Sequence, residues 1–341
     1  MKNNILIAGG SGFIGSHITD ILIHKNYNIY CIGRRKINCL PPYFLKHIKN
    51  DRVKYLPADI TDLHSLKEAL SKIPSIDYII NATGGGWVST SSKKGYLHLY
   101  KYNVEGLKNL LKICLNKYLI KKVIHLGSVS SYGVQFNKII NENTCKEPIQ
   151  VHEKVKFLAQ RVVKRLCNKH KVPFVILQPS QVYGERDVNS EVLKILKLVK
   201  RGIFVFIGQG KNYAVPFVYV KDVAKITAIL LEKNVESQEY ILAWEKKTWR
   251  KIIETISKIL NKHVYYVCIP VKLSLFITGI CERIFLSIGK EPPLTPQRIR
   301  NMSENRLYDS SKILNEIKFS PTPFEEGMRN TIDWYIKNGL L

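Results

Sequence analysis

A chain of 341 residues, 45% hydrophobic with 20 Gly and 14 Pro, is long enough to bury a substantial core and is not disordered or low in complexity. Its 53 Lys and Arg against 27 Asp and Glu give a formal charge of +26, which favours anionic ligands. The basic residues are spread over the whole chain without a dense block, so a dedicated nucleic-acid site is not expected. Seven cysteines form no CxxC pair, which argues for reduced thiols and no metal site. The N-terminus runs straight into a short apolar strand without the form of a secretory signal, so a cytoplasmic setting is expected.

The first half alternates apolar runs with amphipathic stretches, the pattern of an α/β fold in which a Rossmann-type, doubly wound parallel sheet carries helices on both faces. "NNILIAGG" reads as a strand and is followed by a helix from about Gly12 to Lys25. "YNIYCIG" and "VKYLPADITD" are the next strands, the latter leading into "LHSLKEALSKI", where Leu63, Leu66 and Leu70 share a helical face. Then come the strand "DYIINATGG", the helix "LYKYNVEGLKNLLKICLNK", the strand "KKVIHLGSVS", the helix "VHEKVKFLAQRVVKRLCNK" and a sixth strand, "PFVILQPSQVYG".

Past Gly184 the rhythm loosens into helices near 190–200, 222–232, 248–260 and 272–288, short strands such as "EYILAW" and "HVYYVCIP", the Pro-containing "KEPPLTPQRI", and a terminal helix around 324–338. The expected division is a dinucleotide-binding domain over 1–184 and a smaller mixed α/β substrate lobe over 185–341, interleaved so that 214–232 packs back on the first. The most apolar later segment, "VKLSLFITGICERIFLSIGK", is interrupted at Glu282 and Arg283, short of the ~20 residues a spanning helix needs. It reads as a core helix, the alternative being one that makes peripheral contact with a membrane surface.

"LIAGGSGFIGSH" places Gly9, Gly12 and Gly15, with Phe13 and Ile14 between the last two, at a strand-to-helix junction. Gly9 permits the tight turn, Gly12 lets the backbone approach a pyrophosphate, and Gly15 lets the helix pack near the sheet, so a dinucleotide is expected. An NAD site usually carries a carboxylate at the end of the second strand, on the ribose 2′-hydroxyl; this chain has Gly33, Arg34 and Arg35 there. Two guanidiniums and no repelling carboxylate favour a 2′-phosphate, so NADP(H) is the expected cofactor, with NAD(H) the alternative.

Taken in order, the glycine spacing, "ADITD", "NVEGLKNLL", "HLGSVSSYG", "LQPSQVYG", "VPFVYVKDVA" and the closing "RLYDSSKILNEIKFSPTPFEEGMRNTIDWY" resemble the extended short-chain dehydrogenase/reductase family over essentially the whole chain. That group contains nucleotide-sugar epimerases and dehydratases and the 3β-hydroxysteroid dehydrogenases. The resemblance implies that Asp59 and Ile60 lie against the adenine, Ala82 and Thr83 pass the phosphate and ribose, and Pro179 and Val182 cover the nicotinamide. It makes Asn103 an organiser of the active site, Ser128 the hydroxyl that bonds the substrate oxygen, and Lys156 the cation that holds the nicotinamide ribose. It also implies a small-molecule substrate and a homodimer paired through the helices at 97–117 and 152–169.

One position departs. The family's catalytic tyrosine precedes the lysine by four residues, one helical turn, and His152 stands there. An imidazole can move a proton from that turn, and the Lys156 charge should depress its pKa, leaving a poor donor but a serviceable base. Glu153, about 100° round the helix, is not the substitute. The expected function is thus an NAD(P)-dependent oxidoreductase or epimerase acting on a hydroxyl or carbonyl of a nucleotide sugar or lipid-like substrate. The alternative is a dinucleotide-binding scaffold or regulator without turnover.

Elsewhere, Asp222 reads as a helix N-cap and His125 as a core or interface histidine. Trp87 and the glycines after the fourth strand read as either substrate contacts or a surface turn; Tyr183 and Arg186 sit where a strand edge would hold a ligand.

Overall fold

The computed structural model describes residues 2–84, 93–135, 138–188, 190–208, 210–244, 246–288, 299 and 305–341. Trp87 and nearly all of "GGGWVSTSS" and "KEPPLTPQRI" lie outside the described residues.

The main sheet is built from β1 (Asn3–Ala8), β2 (Tyr27–Gly33), β3 (Val53–Pro57), β4 (Tyr78–Asn81), β5 (Lys122–Leu126), β7 (Phe174–Pro179) and β11 (Gln238–Leu242). Its order is β11-β7-β5-β4-β1-β2-β3 and every pair is parallel. Alternate residues of each strand feed two cores. Leu6, Ala8, Tyr30 and Ile32 face α3 (Leu63–Ser71), α5 (Gly106–Lys117) and α6 (Val151–Lys169); Ile5, Ile7, Ile29 and Cys31 face α1 (Phe13–Leu22), α2 (Pro42–Ile48) and α8 (Val220–Glu232). The order reverses between β1 and β4, and that is where the crevice at the strands' C-terminal ends opens.

β11 lies beyond residue 184 in sequence yet borders β7, so the main sheet draws on both sides of that position, and α8 packs on α1. The expected sixth strand divides. β7 stays in the main sheet, while β8 (Gln181–Tyr183) pairs with β10 (Ala214–Tyr219), which also carries β12 (Lys246–Thr248). Pro179, with no N–H to extend a ladder, stands at the division.

A third core gathers α7 (Glu191–Lys200), α9 (Trp249–Leu260) and α12 (Phe324–Lys337) around β9 (Ile203–Ile207) and β10. β9 pairs with β13 (Tyr265–Ile269), and β6 (Ile139–Ile140) with β14 (Leu307–Tyr308). α11 (Ser311–Ile317) packs back beside β11.

Two helices differ from expectation. The run at 97–117 is α4 (Lys93–Tyr100), one π turn over Lys101–Glu105, and then α5. α10 (Val271–Ser287) is not a core helix: Leu273, Phe276, Ile277, Ile280 and Ile284 are exposed, while Ser274 and Thr278 are buried.

Candidate active site

The glycine turn after β1 fits a dinucleotide's diphosphate on steric grounds. Gly9 has φ 82°, and a Cβ on it would lie 2.7 Å from the Ala82 carbonyl oxygen; one on Gly15 would lie 2.1 Å from the Gly9 oxygen. A Cβ on Gly12 would meet only the Gly9 oxygen, at 3.1 Å, so its other side faces open space. Gly12 caps α1 without a side-chain hydrogen bond, and no acid sits in the first turn. The N–H groups and positive end of the helix dipole there are thus suited to an anion. Phe13 and Ile14 begin α1 and also pack on the third core. Ala82 and Thr83 border the turn; Thr83 Oγ1 donates to Asn81 Oδ1 at 2.6 Å.

At the end of β2 the Arg34 guanidinium lies 4.4 Å above the Tyr102 ring, and Arg35 Nη1 donates to the Ser11 carbonyl at 3.3 Å. Tyr55 Oη donates to the Arg35 carbonyl at 3.0 Å. A Cβ on Gly33 would stand 2.9 Å from that hydroxyl, so Tyr55 closes the place where a ribose-binding carboxylate would start. Asp59 is pinned by Thr61 N and Thr61 Oγ1, both at 2.8 Å, with the Tyr102 hydroxyl at 3.5 Å. Ile60, in contrast, is buried in the core, where a Cβ on Gly106 would lie 2.6 Å from its Cγ1.

The other end of the crevice centres on α6. Gln150 and Glu153 form a capping box, with Glu153 Oε2 accepting from Gln150 N and Ile149 N at 3.0 Å, so Glu153 is occupied in starting the helix. One turn later Lys156 Nζ donates to Asn103 Oδ1 at 2.8 Å. Asn103 is buried in the π turn, and its Nδ2 donates to the Leu99 carbonyl at 2.9 Å, which fixes the amide's orientation. A Cβ on Gly84 would lie 3.9 Å from Lys156 Nζ, so the end of β4 reaches the lysine.

Ser128 begins the short turn Val129–Tyr132, and its Oγ accepts from Ser130 N at 3.2 Å and Ser130 Oγ at 2.9 Å. With those bonds accepted, its own hydrogen is available to donate.

Burial lowers the Lys156 pKa to about 8. His152 is lowered to about 4, first by desolvation and second by the Lys156 charge. The sequence had pointed to the charge; tertiary packing around the ring is the larger cause. His152 is therefore neutral near pH 7. His125 is buried in the sheet with Nδ1 2.9 Å from Asn81 Nδ2, and burial pushes it to about 3.

Sequence reasoning missed the support beneath the site. Gln160, one turn past Lys156, donates to the Ser128 carbonyl at 3.3 Å and accepts from Gln178 Nε2 at 3.0 Å and Lys146 Nζ at 2.8 Å. Gln178 accepts from Tyr132 Oη at 3.0 Å and donates to Glu239, which also receives Lys146 and Lys164. This network ties α6 to the Ser128 turn and commits Tyr132, so Tyr132 is no proton donor. The i+4 spacing of Gln160 from Lys156 was the available signal.

Three other readings are corrected. Asp222 stands two residues into α8, whose N-cap is Tyr219, and accepts from Thr322 N at 2.9 Å and Thr322 Oγ1 at 2.6 Å. Tyr183 is buried in the third core with its hydroxyl on the Phe324 carbonyl. Arg186 reaches Asp20 at 2.5 Å and Ser16 Oγ at 3.2 Å, tying the segment after β8 to α1. Pro179 is buried at the end of β7, while Val182 on β8 packs between two cores.

The chain matches the family model described as the NAD dependent epimerase/dehydratase family over residues 5–243. Among curated relatives, it is 24% identical over 98% of its length to the N-acetyl-alpha-D-glucosaminyl-diphospho-ditrans,octacis-undecaprenol 4-epimerase of Escherichia coli O157:H7, covering 96% of that protein. It is 30% identical over 67% of its length to a putative UDP-glucose 4-epimerase of Methanocaldococcus jannaschii, covering 73% of that protein. The fold superposes with TM-score 0.78 on a UDP-glucuronic acid 4-epimerase from Bacillus cereus in complex with NAD, at 20% identity, covering 99% of this chain and 100% of that one. Because the family match runs from the first strand through β11 and takes in the glycine turn, Asn103, Ser128 and Lys156, this chain belongs to the NAD dependent epimerase/dehydratase family.

Proposed function

We propose that the protein is a sugar epimerase or oxidoreductase that interconverts a hydroxyl and a carbonyl on a sugar carried by a diphosphate, nucleotide-linked or lipid-linked, with His152 in the proton-transfer role. The observation that carries this reading is the neutral imidazole of His152 one helical turn before Lys156, which is itself fixed by Asn103.

A bound nicotinamide dinucleotide supplies hydride acceptance and donation at the sugar carbon. Lys156 Nζ binds the ribose hydroxyls beside it, oriented by Asn103 Oδ1. Ser128 Oγ–H donates to the sugar oxygen, backed by Gln160 on its own carbonyl. The His152 imidazole, neutral near pH 7, takes the sugar hydroxyl proton on oxidation and returns it on reduction. Arg34, Arg35 and the Gly33 position closed by Tyr55 support NADP(H) over NAD(H). The names of the relatives support a diphosphate-linked sugar, lipid-borne in one and UDP-borne in another. A homodimer paired through the helical stretches at 97–117 and 152–169 belongs to the same reading.

The test is turnover of UDP-linked and polyprenyl diphosphate-linked N-acetylhexosamines by wild type, His152→Ala and His152→Tyr. The expected result is a fall in kcat of roughly 100- to 10,000-fold in His152→Ala with dinucleotide affinity retained. A wild type that binds dinucleotide but turns over nothing, with turnover appearing in His152→Tyr, would instead establish a dinucleotide-binding protein that has lost its chemistry.

A further inference from the structure

We infer that the outer face of α10 docks on the surface of an anionic lipid bilayer. Two hydroxyl residues of the helix face inward. Ser274 and Thr278 are buried, Thr278 Oγ1 being satisfied by the Ser274 carbonyl at 2.7 Å. Outward stand Leu273 at 49% exposure, Phe276 at 67%, Ile277 at 45%, Ile280 at 44% and Ile284 at 54%, at the spacing of a single helical stripe. A contiguous apolar stripe of this size on a surface helix marks an interaction site.

The neighbouring sheet continues the pattern. Ile203 pairs with Tyr265 and Val205 with Val267, so all four side chains share one face of the β9–β13 ribbon, and all four are exposed. α10 abuts this ribbon: a Cβ on Gly208, just past β9, would lie 2.5 Å from Val271 Cγ2.

Charge selects the occupant. Exposed Lys272 and Arg283 stand on α10 against the single acid Glu282, and exposed Lys197, Lys200, Arg201 and Lys262 flank the two strands, within a chain of charge +26. A second copy of the face would bring these cations against one another. Anionic headgroups would neutralise them while the acyl boundary covers the stripe. No helix among the described residues is long and apolar enough to cross a membrane, so α10 lies along the interface. Docking of this kind stands on α10 by itself and is tested without substrate.

The experiment is co-sedimentation of the full-length protein with large vesicles of phosphatidylcholine alone or mixed with phosphatidylglycerol. The expected result is binding at least about tenfold stronger to the phosphatidylglycerol vesicles, weakened by salt. Phe276→Asp with Ile280→Asp should abolish sedimentation while dinucleotide binding and the unfolding midpoint are retained. Lys272→Glu with Arg283→Glu, which leaves the stripe intact, should remove the preference for phosphatidylglycerol. No sedimentation of wild type overturns the inference, as does unaltered sedimentation of the Asp variant. A concentration-dependent dimer that the Asp variant dissociates, without vesicle binding, overturns it in favour of a second copy.

Discussion

Replacing His152 by Gln tests the electrostatics of the site independently of any substrate. The folded-state pKa is lowered from 6.5 to about 4 because the ring is desolvated and faces Lys156. Between those two values the unfolded chain binds a proton that the folded chain refuses, so stability falls as pH falls through this window. It is unaffected above about 6.5. Moving from about pH 7.5 to about pH 5 crosses roughly 1.5 units of the window, which at 1.36 kcal/mol per unit is about 2 kcal/mol, or about 1–2 after allowing for solvent reaching the ring. His17 and His125, lowered to about 4 and about 3 by burial, add their own acid sensitivity, but equally in wild type and variant. The assay is urea unfolding followed by tryptophan fluorescence at both pH values. The free-energy loss on acidification should be about 1–2 kcal/mol smaller in His152→Gln than in wild type. An identical loss in the two proteins would show that the imidazole is neither buried nor neutral in the folded state, and the proposed base would lose its physical ground.

Gly15→Ala should abolish dinucleotide binding and lower the unfolding midpoint, since its Cβ would lie 2.1 Å from a backbone oxygen that cannot yield; thermal melts with and without NADPH check it. Arg34→Glu with Arg35→Glu should reduce the NADPH-to-NADH affinity ratio by roughly tenfold or more, read by fluorescence titration. Lys156, with its pKa lowered to about 8, should lose its charge as pH rises through that value. Dinucleotide affinity should therefore weaken above about pH 8 in wild type and be flat in Lys156→Met. Asp222→Ala leaves Thr322 N and Oγ1 without their acceptor in a partly buried setting and should cost about 1–3 kcal/mol in denaturant titration, leaving dinucleotide affinity unchanged.

The elements of the nucleotide-binding part were legible because their strands are buried on both faces, which writes continuous apolar runs such as that of β1 directly into the sequence. Short edge pieces such as β6 and β14 were not, because two residues carry no period. The readings that failed depended on partners far along the chain. Asp222 looked like an N-cap from its neighbours, but its hydrogen bonds go to Thr322. Tyr183 and Arg186 stood at a strand edge in sequence, but the third core and Asp20 claim them.

The sequence by itself determined the glycine turn, the absence of a carboxylate at Gly33–Arg35, and the one-turn spacing of His152 and Lys156, since each is a local property of residue type and helical or strand period. Only the tertiary structure decided what surrounds those residues. It brought Asn103 to Lys156, closed the space at Gly33 with Tyr55, set Gln160 beneath Ser128 and turned the apolar stripe of α10 outward. Burial and long-range hydrogen bonding are sums over atoms distant in the chain, and no local pattern records them.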